Sequence, residues 1–386
     1  MRVPTKRLRL VASVLMTFAF LVAACADQPD EAVDGDTPAA QDPPDATDGD
    51  AGTDAPSDAD EGEVQTTSHR LDEETEVTLA LNPALISYLP FFVAQEKGYF
   101  ADNNLSVKVI EYQGSANTQI PLIARGDIDF ATAVTGPAIF SQFAEGFDVR
   151  LLAAVSEARE GWLDPSVLVV RRDVWDEQQL EDPSDLEGIS IDAAAEGSPI
   201  DFLVRKALEA AGLTEGDVTL SYRGRTPADW QQLLANDVVE VAGMVEPVAT
   251  QIESAGTGTR WLSYADVIPG YQETLLVASP DMAAKENVVL AFTNALLRAA
   301  QDVAESEGDW TEELLTIAAD STGLPTEVIE GMGPVPYSPP EGEVDVQALA
   351  EVQSFWLDAG LLQGEIEVAD MVEEGVAARA RPQEST

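Results

Sequence analysis

Short runs rich in β-branched residues alternate with segments of helical spacing over most of the chain after residue 76. The runs with strand character are 77–81, 106–112, 130–134, 150–155 and 166–171. The segments with helical spacing between them are 88–101, 118–126 and 138–145. Such alternation favours parallel strand pairing, because each helix carries the chain back across the sheet. The sequence therefore predicts an α/β fold with mostly parallel sheets flanked by helices.

A second, similar succession runs from residue 188 to residue 255, and a strand at 272–278 follows it. About 310 residues remain after the N-terminal segments described below, which is more than a single hydrophobic core usually holds. We therefore expect two lobes with a hinge between them. Residues 77–175 and 271–386 are assigned to a discontinuous first lobe, and residues 176–270 to a second lobe inserted into it.

The N-terminus has the pattern of an export signal. Four basic side chains within the first nine residues precede an apolar run at 10–21, which is too short for a comfortable membrane span. Leu21-Val22-Ala23-Ala24-Cys25 follows and resembles the bacterial lipobox. This resemblance implies that residues 1–25 are a lipoprotein signal peptide that ends in the lipobox, and that a lipid is attached to Cys25. The lipid would anchor the protein to the outer face of the cytoplasmic membrane. The alternative is that Cys25 is simply removed with the signal peptide.

Residues 26–76 consist mainly of Asp, Ala, Gly, Pro, Ser and Thr, with almost no large apolar side chains. A segment of this composition cannot bury enough surface to fold, and its like charges extend it. We predict an acidic disordered linker here. His69 lies in this linker, and we expect it to be solvated and to have no catalytic or metal-binding role.

The charge and the residue types exclude several classes of function. The chain carries 70 acidic against 21 basic side chains, which makes nucleic acid and anionic membrane surfaces poor partners. Its single cysteine and single histidine both precede residue 77. The predicted lobes therefore have no Ser-His-Asp set and no Cys/His zinc cluster. No glycine-rich phosphate loop is available in them either. We expect a monomer that is not an enzyme and uses neither a metal nor a cofactor.

Four loops place a hydroxyl or a glycine directly before a predicted helix. They are Gly114-Ser115-Ala116-Asn117, Thr135-Gly136-Pro137, Gly197-Ser198-Pro199 and Thr226-Pro227-Ala228-Asp229. In open α/β sheets the carboxyl ends of the strands line the ligand crevice, and free N–H groups at helix starts favour polar or anionic atoms. A plain helix cap explains each loop taken singly, and capping and binding are compatible. Taken together, the loops favour a ligand cleft between the lobes.

Several segments resemble one family of binding proteins. In chain order they are 88–100, 104–107, 113–115, 122–131, 185–188 and 197–198. The first reads YLPFFVAQEKGYF and looks like the opening of the ABC-transporter substrate-binding proteins for aliphatic sulfonates, taurine, nitrate and thiamine pyrimidine precursors. Gly126-Asp127-Ile128-Asp129 is similar to that family's lead-in to a strand. The resemblance covers roughly residues 77–300, and the C-terminal part matches mainly by helical character.

The resemblance implies a type II periplasmic-binding-protein fold, in which two lobes close on a ligand at the hinge. The implied ligand-binding residues, which lie at strand ends or helix starts, are Tyr88, Ser115, Asn117, Thr135, Gly136, Ser198, Thr226 and Glu246. The implied partners are a small-molecule ligand and an ABC permease with its cytoplasmic ATPase. A ligand sensor that signals to a membrane partner would keep the same site. An enzyme of yeast pyrimidine synthesis shares the fold, but its active-site histidine and cysteine-rich iron motif have no counterpart in these lobes.

Two glutamates bear on the charge of the ligand. Glu157 follows the strand near 150–155, and Glu246 follows a strand at 241–245. A carboxylate in the cleft favours an ammonium or amino group, because a buried charge needs a partner, and it disfavours a bare anion. The alternative is that both glutamates face water. We expect a ligand of the sulfonate, taurine or nitrate type, with a thiamine pyrimidine precursor or another nitrogenous heterocycle as the alternative.

The lipid anchor is tested by the substitution Cys25→Ser, which removes the sulfur that would carry the lipid. We expect the variant to move from the membrane fraction to the soluble fraction, as measured by immunoblotting of fractionated cells. The substitution Ser57→Ala in the linker should leave the distribution unchanged. Retention of the Cys25→Ser protein in the membrane fraction would contradict the anchor.

Overall fold

The β-branched runs of the sequence form strands close to their predicted positions. The computed structural model describes residues 69–112, 116–224 and 226–382, apart from the side chains of residues 116 and 117. The predicted signal peptide, Cys25, Ser115 and most of the linker lie outside the described residues, as does the side chain of Asn117.

The strands are β1 (Thr75–Leu81), β2 (Leu105–Glu111), β3 (Phe130–Val134), β4 (Arg150–Ser156), β5 (Ser166–Arg171), β6 (Ser190–Asp192), β7 (Thr219–Ser221), β8 (Val241–Val245), β9 (Gly258–Ser263) and β10 (Thr274–Ala278). The α-helices are α1 (Leu89–Glu96), α2 (Tyr99–Asp102), α3 (Ala116–Ala124), α4 (Pro137–Ala144), α5 (Arg172–Gln178), α6 (Pro199–Ala210), α7 (Pro227–Ala235), α8 (Val248–Ser254), α9 (Tyr264–Val267), α10 (Pro280–Ala283), α11 (Glu286–Glu305), α12 (Glu312–Thr322), α13 (Thr326–Gly331), α14 (Val346–Asp358) and α15 (Val376–Ala380). Short 3₁₀ turns occupy Ile86–Tyr88, Pro183–Leu186, Glu215–Asp217 and Val368–Met371.

The strands form two five-stranded sheets. The first has the order β2-β1-β3-β10-β4, and the second has the order β7-β6-β8-β5-β9. In each sheet four strands point the same way and one runs against both neighbours, β10 in the first sheet and β5 in the second. The prediction of mostly parallel sheets is confirmed. Both reversed strands directly follow a crossing of the chain from one sheet to the other.

The first crossing comes earlier than the sequence indicated. The expected boundary between residues 175 and 176 leaves β5 in the first lobe, but β5 pairs with β8 and β9 of the second sheet. A buried strand of almost uniformly apolar residues carries no mark of the sheet that it joins, which explains the error. The crossings are residues 157–165 and residues 268–273. Below, each lobe means one sheet with its helices; both lobes belong to one compact unit, Val64–Thr386.

The fold also begins before the end of the predicted linker. Leu71 is buried and its N–H donates to the carbonyl oxygen of Asn103 over 3.2 Å, and β1 starts at Thr75. The predicted disordered linker 26–76 is therefore too long at its C-terminal end. Burial of Leu71 and the pairing of β1 with β2 from Thr75 onward already hold this part of the chain in place. His69 was expected to be solvated, but it is half-buried, and this burial lowers the pKa of its imidazole.

Close packing of helices on the sheets builds the lobes. In the first lobe, the ring of Phe292 on α11 stacks on Phe130 of β3 with 4.0 Å between the centroids. In the second lobe, a Cβ added to Gly243 would lie 2.2 Å from Cγ2 of Ile200, so the glycine lets α6 approach β8. Among the described residues, no helix is both long and apolar enough to span a membrane.

Three elements were not predicted, and one predicted helix is broken. The segment 88–101 comprises α1 and α2, which are separated at Gly98; its φ of +75° is one that glycine adopts without steric cost. β9, α5 and α9 have no counterpart in the sequence-based expectation, because polar and apolar residues follow no clear period there.

Candidate functional site

Two of the loops singled out in the sequence meet between the lobes. Gly136 follows β3 of the first lobe, and Gly197 precedes α6 of the second. A Cβ added to Gly136 would lie 3.3 Å from the carbonyl oxygen of Gly197, and one added to Gly197 would lie 3.0 Å from Cγ of Pro137. The lobes are therefore in direct contact at the ends of the strands, and a side chain at either glycine would require its neighbour to shift.

Aromatic rings continue this contact. Phe202 of α6 in the second lobe lies 5.0 Å from Phe355 and 5.5 Å from Trp356, both on α14 of the first lobe. The ring of Tyr271, in the second crossing, lies 5.0 Å from Phe202 and 4.4 Å from Tyr264. Since Trp356, Phe202 and the two tyrosines are buried, the lobes share an apolar interior next to the crossings.

A small cavity lies where the crossings meet. It has a volume of about 10 Å³, roughly the room that one water molecule needs. Its walls include Glu157 and Asp164 from the first crossing, and Tyr271 and Glu273 from the second. Tyr264 of the second lobe also lines it. Polar and ionisable side chains therefore share the lining of this small space with apolar residues such as Leu163 and Pro336.

Glu273 is the most deeply buried carboxyl of this cavity. It accepts one side-chain hydrogen bond, from Oγ of Ser166 to Oε1 over 2.7 Å. Its other carboxylate oxygen makes no hydrogen bond within the part of the chain that the structure describes. Burial raises the pKa of Glu273 to about 8, and the nearby charge of Asp164 adds to the rise. At neutral pH the group is therefore held largely in its protonated form.

Asp164 forms the second part of the same pair. Its Oδ2 accepts from the backbone N–H of Ala265 over 3.0 Å, and its Oδ1 from that of Ser166 over 3.4 Å. Burial of the carboxyl raises the pKa of Asp164 to about 7 despite these bonds. A cation or an N–H donor placed beside the two carboxyls would take the place of their protons. Within the described ranges, no three His, Cys, Asp or Glu side chains stand close enough together to hold a metal ion.

Tyr88 and Glu157 belong to the same region. Tyr88 is buried at the end of the 3₁₀ turn before α1, and burial raises the pKa of its phenol while a hydrogen bond with Thr132 opposes the rise. The charge of Glu273 acts on Tyr88 as well. Glu157 is half-buried, and burial raises its pKa against the opposing charge of Arg159. Both residues, singled out from the sequence, thus lie beside the carboxyl pair.

Thr135 ties the second crossing to the first lobe. Its hydroxyl donates to the carbonyl oxygen of Gln272 over 2.8 Å, and its N–H donates to that of Glu273 over the same distance. The hydroxyl of Tyr271 donates to the carbonyl oxygen of Thr135 over 3.0 Å. Thr135 was expected to bind ligand through its hydroxyl; in this conformation the hydroxyl instead fixes the backbone that carries Glu273.

Ser198 and Thr226 serve as helix caps. Oγ of Ser198 accepts from the N–H of Asp201 over 3.2 Å at the start of α6. Thr226 is exposed and forms a capping box with Asp229 at the start of α7. Ser198 adjoins the contact between Gly136 and Gly197, whereas Thr226 is not among the residues of the cavity.

The expectation for Glu246 needs correction. Its side chain is buried and already has a cation, since Nη1 of Arg260 donates to Oε1 over 3.0 Å. The N–H and the hydroxyl of Thr250 donate to Oε2. An internal ion pair with three hydrogen bonds leaves Glu246 no charge for a ligand to neutralise. The sequence could not reveal this, because Arg260 lies on β9, a strand that its pattern did not predict.

Asp164, Ser166 and Glu273 are the residues of this site that the sequence reasoning missed. A weak signal was present: Asp164 directly precedes Pro165 and the apolar β5, and Glu273 directly precedes the apolar β10. Charged residues at the start of a buried central strand are unusual, because the strand carries them towards the interior. The sequence alone does not show that the first residues of β5 and β10 face each other. This follows only once β5 is known to pair with β8 and β9 in the second sheet.

Comparisons with known proteins agree with this architecture. Residues 86–307 match the family model described as NMT1/THI5 like. A putative thiamine biosynthesis protein of Haemophilus influenzae is 24% identical over 282 residues, which cover 70% of this chain and 82% of that protein.

Solved structures of binding proteins share the fold. The periplasmic aliphatic sulphonate binding protein SsuA from Escherichia coli matches with a TM-score of 0.63 at 15% identity, over 78% of this chain and 99% of that one. The periplasmic nitrate-binding protein NrtA from Synechocystis PCC 6803 matches with a TM-score of 0.60 at 18% identity, over 80% and 88%. The predicted two-lobed periplasmic-binding-protein fold and the predicted family are confirmed.

The buried carboxyl gives a pH-dependent prediction. Because the pKa of Glu273 in the folded protein is about 8 and its ordinary value is 4.5, folding retains a proton that the unfolded chain releases. Glu273 therefore lowers stability as pH rises through this window. We expect Glu273→Gln to melt close to the parent at about pH 5 and above it at about pH 8.5, in differential scanning calorimetry. The exposed Glu374→Gln is the control, and an equal effect of Glu273→Gln at both pH values would contradict the assignment.

Proposed function

The chain belongs to the NMT1/THI5-like family, and from that premise we propose that it is the extracytoplasmic solute-binding component of an ABC importer. The proposal is supported by the solved binding proteins with the same fold, among them the sulphonate-binding SsuA and the nitrate-binding NrtA. Two lobes that touch at strand ends and share a lined cavity at their crossings have the geometry of a closing trap. Closure would bury the ligand and form the surface that the permease recognises. We assign the protein no catalytic role.

The ligand is a small polar molecule that carries an amino or ammonium group. The observation that supports this choice is the pair Asp164 and Glu273, which are buried together with fewer hydrogen bonds than their four oxygens accept. Each proton lost from this pair leaves a buried negative charge, which repels a bare sulfonate or nitrate and attracts an amino or ammonium group. Among the expected ligands, taurine and an aminopyrimidine of the thiamine-precursor type meet this condition.

The rest of the cavity suits such a ligand. Tyr264, Tyr271 and Tyr337 line it and offer flat apolar faces. The hydroxyls of Tyr264 and Tyr271 already donate to the carbonyl oxygens of Pro199 and Thr135. Glu157 is a third carboxyl at the same place. The cavity in this closed conformation admits one ammonium-sized group, so the remainder of the ligand requires a wider separation of the lobes.

The location follows from the N-terminus. We propose that residues 1–25 direct export, that Cys25 carries a lipid, and that the acidic segment separates the lobes from the membrane. Lipid anchorage keeps the binding protein beside its permease, which raises the effective concentration of the two partners.

A matched pair of ligands tests the choice of ligand. Taurine and ethanesulfonate differ only in the amino group, and nitrate has no donor at all. We expect taurine or thiamine's aminopyrimidine precursor to raise the melting temperature of the full chain with increasing concentration, and ethanesulfonate and nitrate to leave it unchanged. Glu273→Gln should weaken the binding of the amine by about 1.5–3 kcal/mol, the range for a hydrogen bond to a charged group.

The outcomes separate the alternatives. A shift with ethanesulfonate or nitrate that equals the shift with taurine would contradict the role of the carboxyl pair while supporting a binding protein. No shift with any of these compounds would count against the proposed ligand class. Ser57→Ala serves as the folded reference in both titrations.

A further inference from the structure

Arg260 is hydrogen-bonded to residues of both lobes. It lies on β9 of the second lobe, where its Nη1 donates to Oε1 of Glu246 over 3.0 Å and its Nε donates to Oε2 of Glu253 over 2.8 Å. Glu246 is almost fully buried and Glu253 is partly exposed. These two carboxylates hold the guanidinium in place from the side of the second lobe.

The other partners of Arg260 belong to the first lobe. Its Nη2 donates to the carbonyl oxygen of Gly331 over 3.0 Å, and its Nη1 donates to that of Met332 over 2.5 Å. Both carbonyls lie at the C-terminal end of α13, and the side chain of Met332 is buried in the core of the first lobe. The last carbonyls of a helix have no partner within the helix and attract a positive charge.

The two lobes also touch closely beside this arginine. A Cβ added to Gly331 would lie 3.2 Å from Cγ2 of Thr250, which is on α8 of the second lobe. Thr250 in turn donates to Glu246. The glycine thus allows the end of α13 to approach the helix that holds the acidic partner of Arg260.

We propose that Arg260 is a latch that holds the lobes closed by carrying a positive charge from the second lobe onto the C-terminus of α13. The arrangement is asymmetric. When the lobes part, Arg260 stays with Glu246 and Glu253, so no buried carboxylate loses its cation. Of the hydrogen bonds of Arg260, only the two to the carbonyls of Gly331 and Met332 are lost. Breaking the latch therefore changes the balance between open and closed molecules and leaves the fold of each lobe intact.

The latch acts on ligand affinity without contacting the ligand. Because the ligand needs a wider separation of the lobes than this conformation has, only molecules with a broken latch bind it, and the apparent affinity is proportional to the open fraction. Arg260 is not among the residues of the hinge cavity, so it is a positioning residue. Its effect does not depend on which ligand the protein carries.

Distance measurements between spin labels test the latch. Lys108 on β2 and Gln231 on α7 are exposed and lie on different lobes, so Lys108→Cys and Gln231→Cys place one label on each in a full chain with Cys25→Ser. We expect the parent to give one short distance without ligand. Arg260→Lys keeps the charge for Glu246 and loses the planar fork. It should raise the ratio of open to closed molecules at least about tenfold, because a hydrogen bond to a charged group is typically worth that factor or more.

A matched control and a second variant complete the test. Arg171→Lys makes the same change at an arginine whose partners, Asp173 and the carbonyl of Val239, lie within the second lobe, and it should leave the distances unchanged. Gly331→Val pushes α13, with the carbonyls of Gly331 and Met332, away from Thr250 and from Arg260, so it should open the lobes too. If Arg260→Lys does not fold, Gly331→Val decides alone. Parent-like distances in folded Arg260→Lys or folded Gly331→Val, or a parent that is already open, would overturn the latch.

Discussion

The pairing of two reversed strands in the interior of the sheets determines how the lobes are joined. β5 lies between β8 and β9, and β10 lies between β3 and β4. Because each is hydrogen-bonded on both edges, neither can slip without breaking two ladders. The crossings that lead into them are therefore fixed at one end. Residues that begin these strands are held close to the opposite lobe, and this constraint brings Ser166 to Glu273 and Glu273 near Asp164.

The buried carboxyls differ sharply in how well they are satisfied. Asp192 accepts four hydrogen bonds, from Ser221 and three backbone N–H groups. Glu246 accepts three and has an arginine. These groups stabilise the second lobe in a single arrangement. Glu273 accepts one bond at its carboxyl and has no cation beside it within the described residues, which is costly unless a proton or a ligand compensates. The unused hydrogen-bonding capacity of its carboxyl distinguishes Glu273 at the hinge from Asp192 and Glu246, whose carboxyls stabilise the second lobe.

Local pattern in the sequence was sufficient for most of the fold. The mainly apolar runs at 130–134 and 166–171 have the length and residue types of buried strands, and Pro with a preceding hydroxyl marks the starts of α6 and α7. The sheet to which β5 belongs could not be predicted, because its apolar residues suit either core. The same holds for the charge partner of Glu246, since contact with Arg260 depends on the packing of β9 beside α8.

Sequence reasoning placed the candidate site at strand ends and helix starts, and the structure brings some of these residues together between the lobes. Gly136 and Gly197 were chosen because they precede helices at strand ends, and they do meet between the lobes. The hydroxyls of Thr135 and Ser198 were chosen for the same reason, but both have backbone partners. Whether a hydroxyl is free is decided by distant residues such as Gln272. That information is absent from a local motif.

The proton balance of ligand binding tests the central claim most directly, namely that a donor group of the ligand replaces protons on Asp164 and Glu273. Titration calorimetry with taurine or the aminopyrimidine at about pH 7.5, in two buffers of different ionisation enthalpy, measures the protons exchanged on binding. Because the pKa values of the two carboxyls are about 7 and about 8, the account predicts a net release of protons. Binding with no exchange, or with proton uptake, would contradict it.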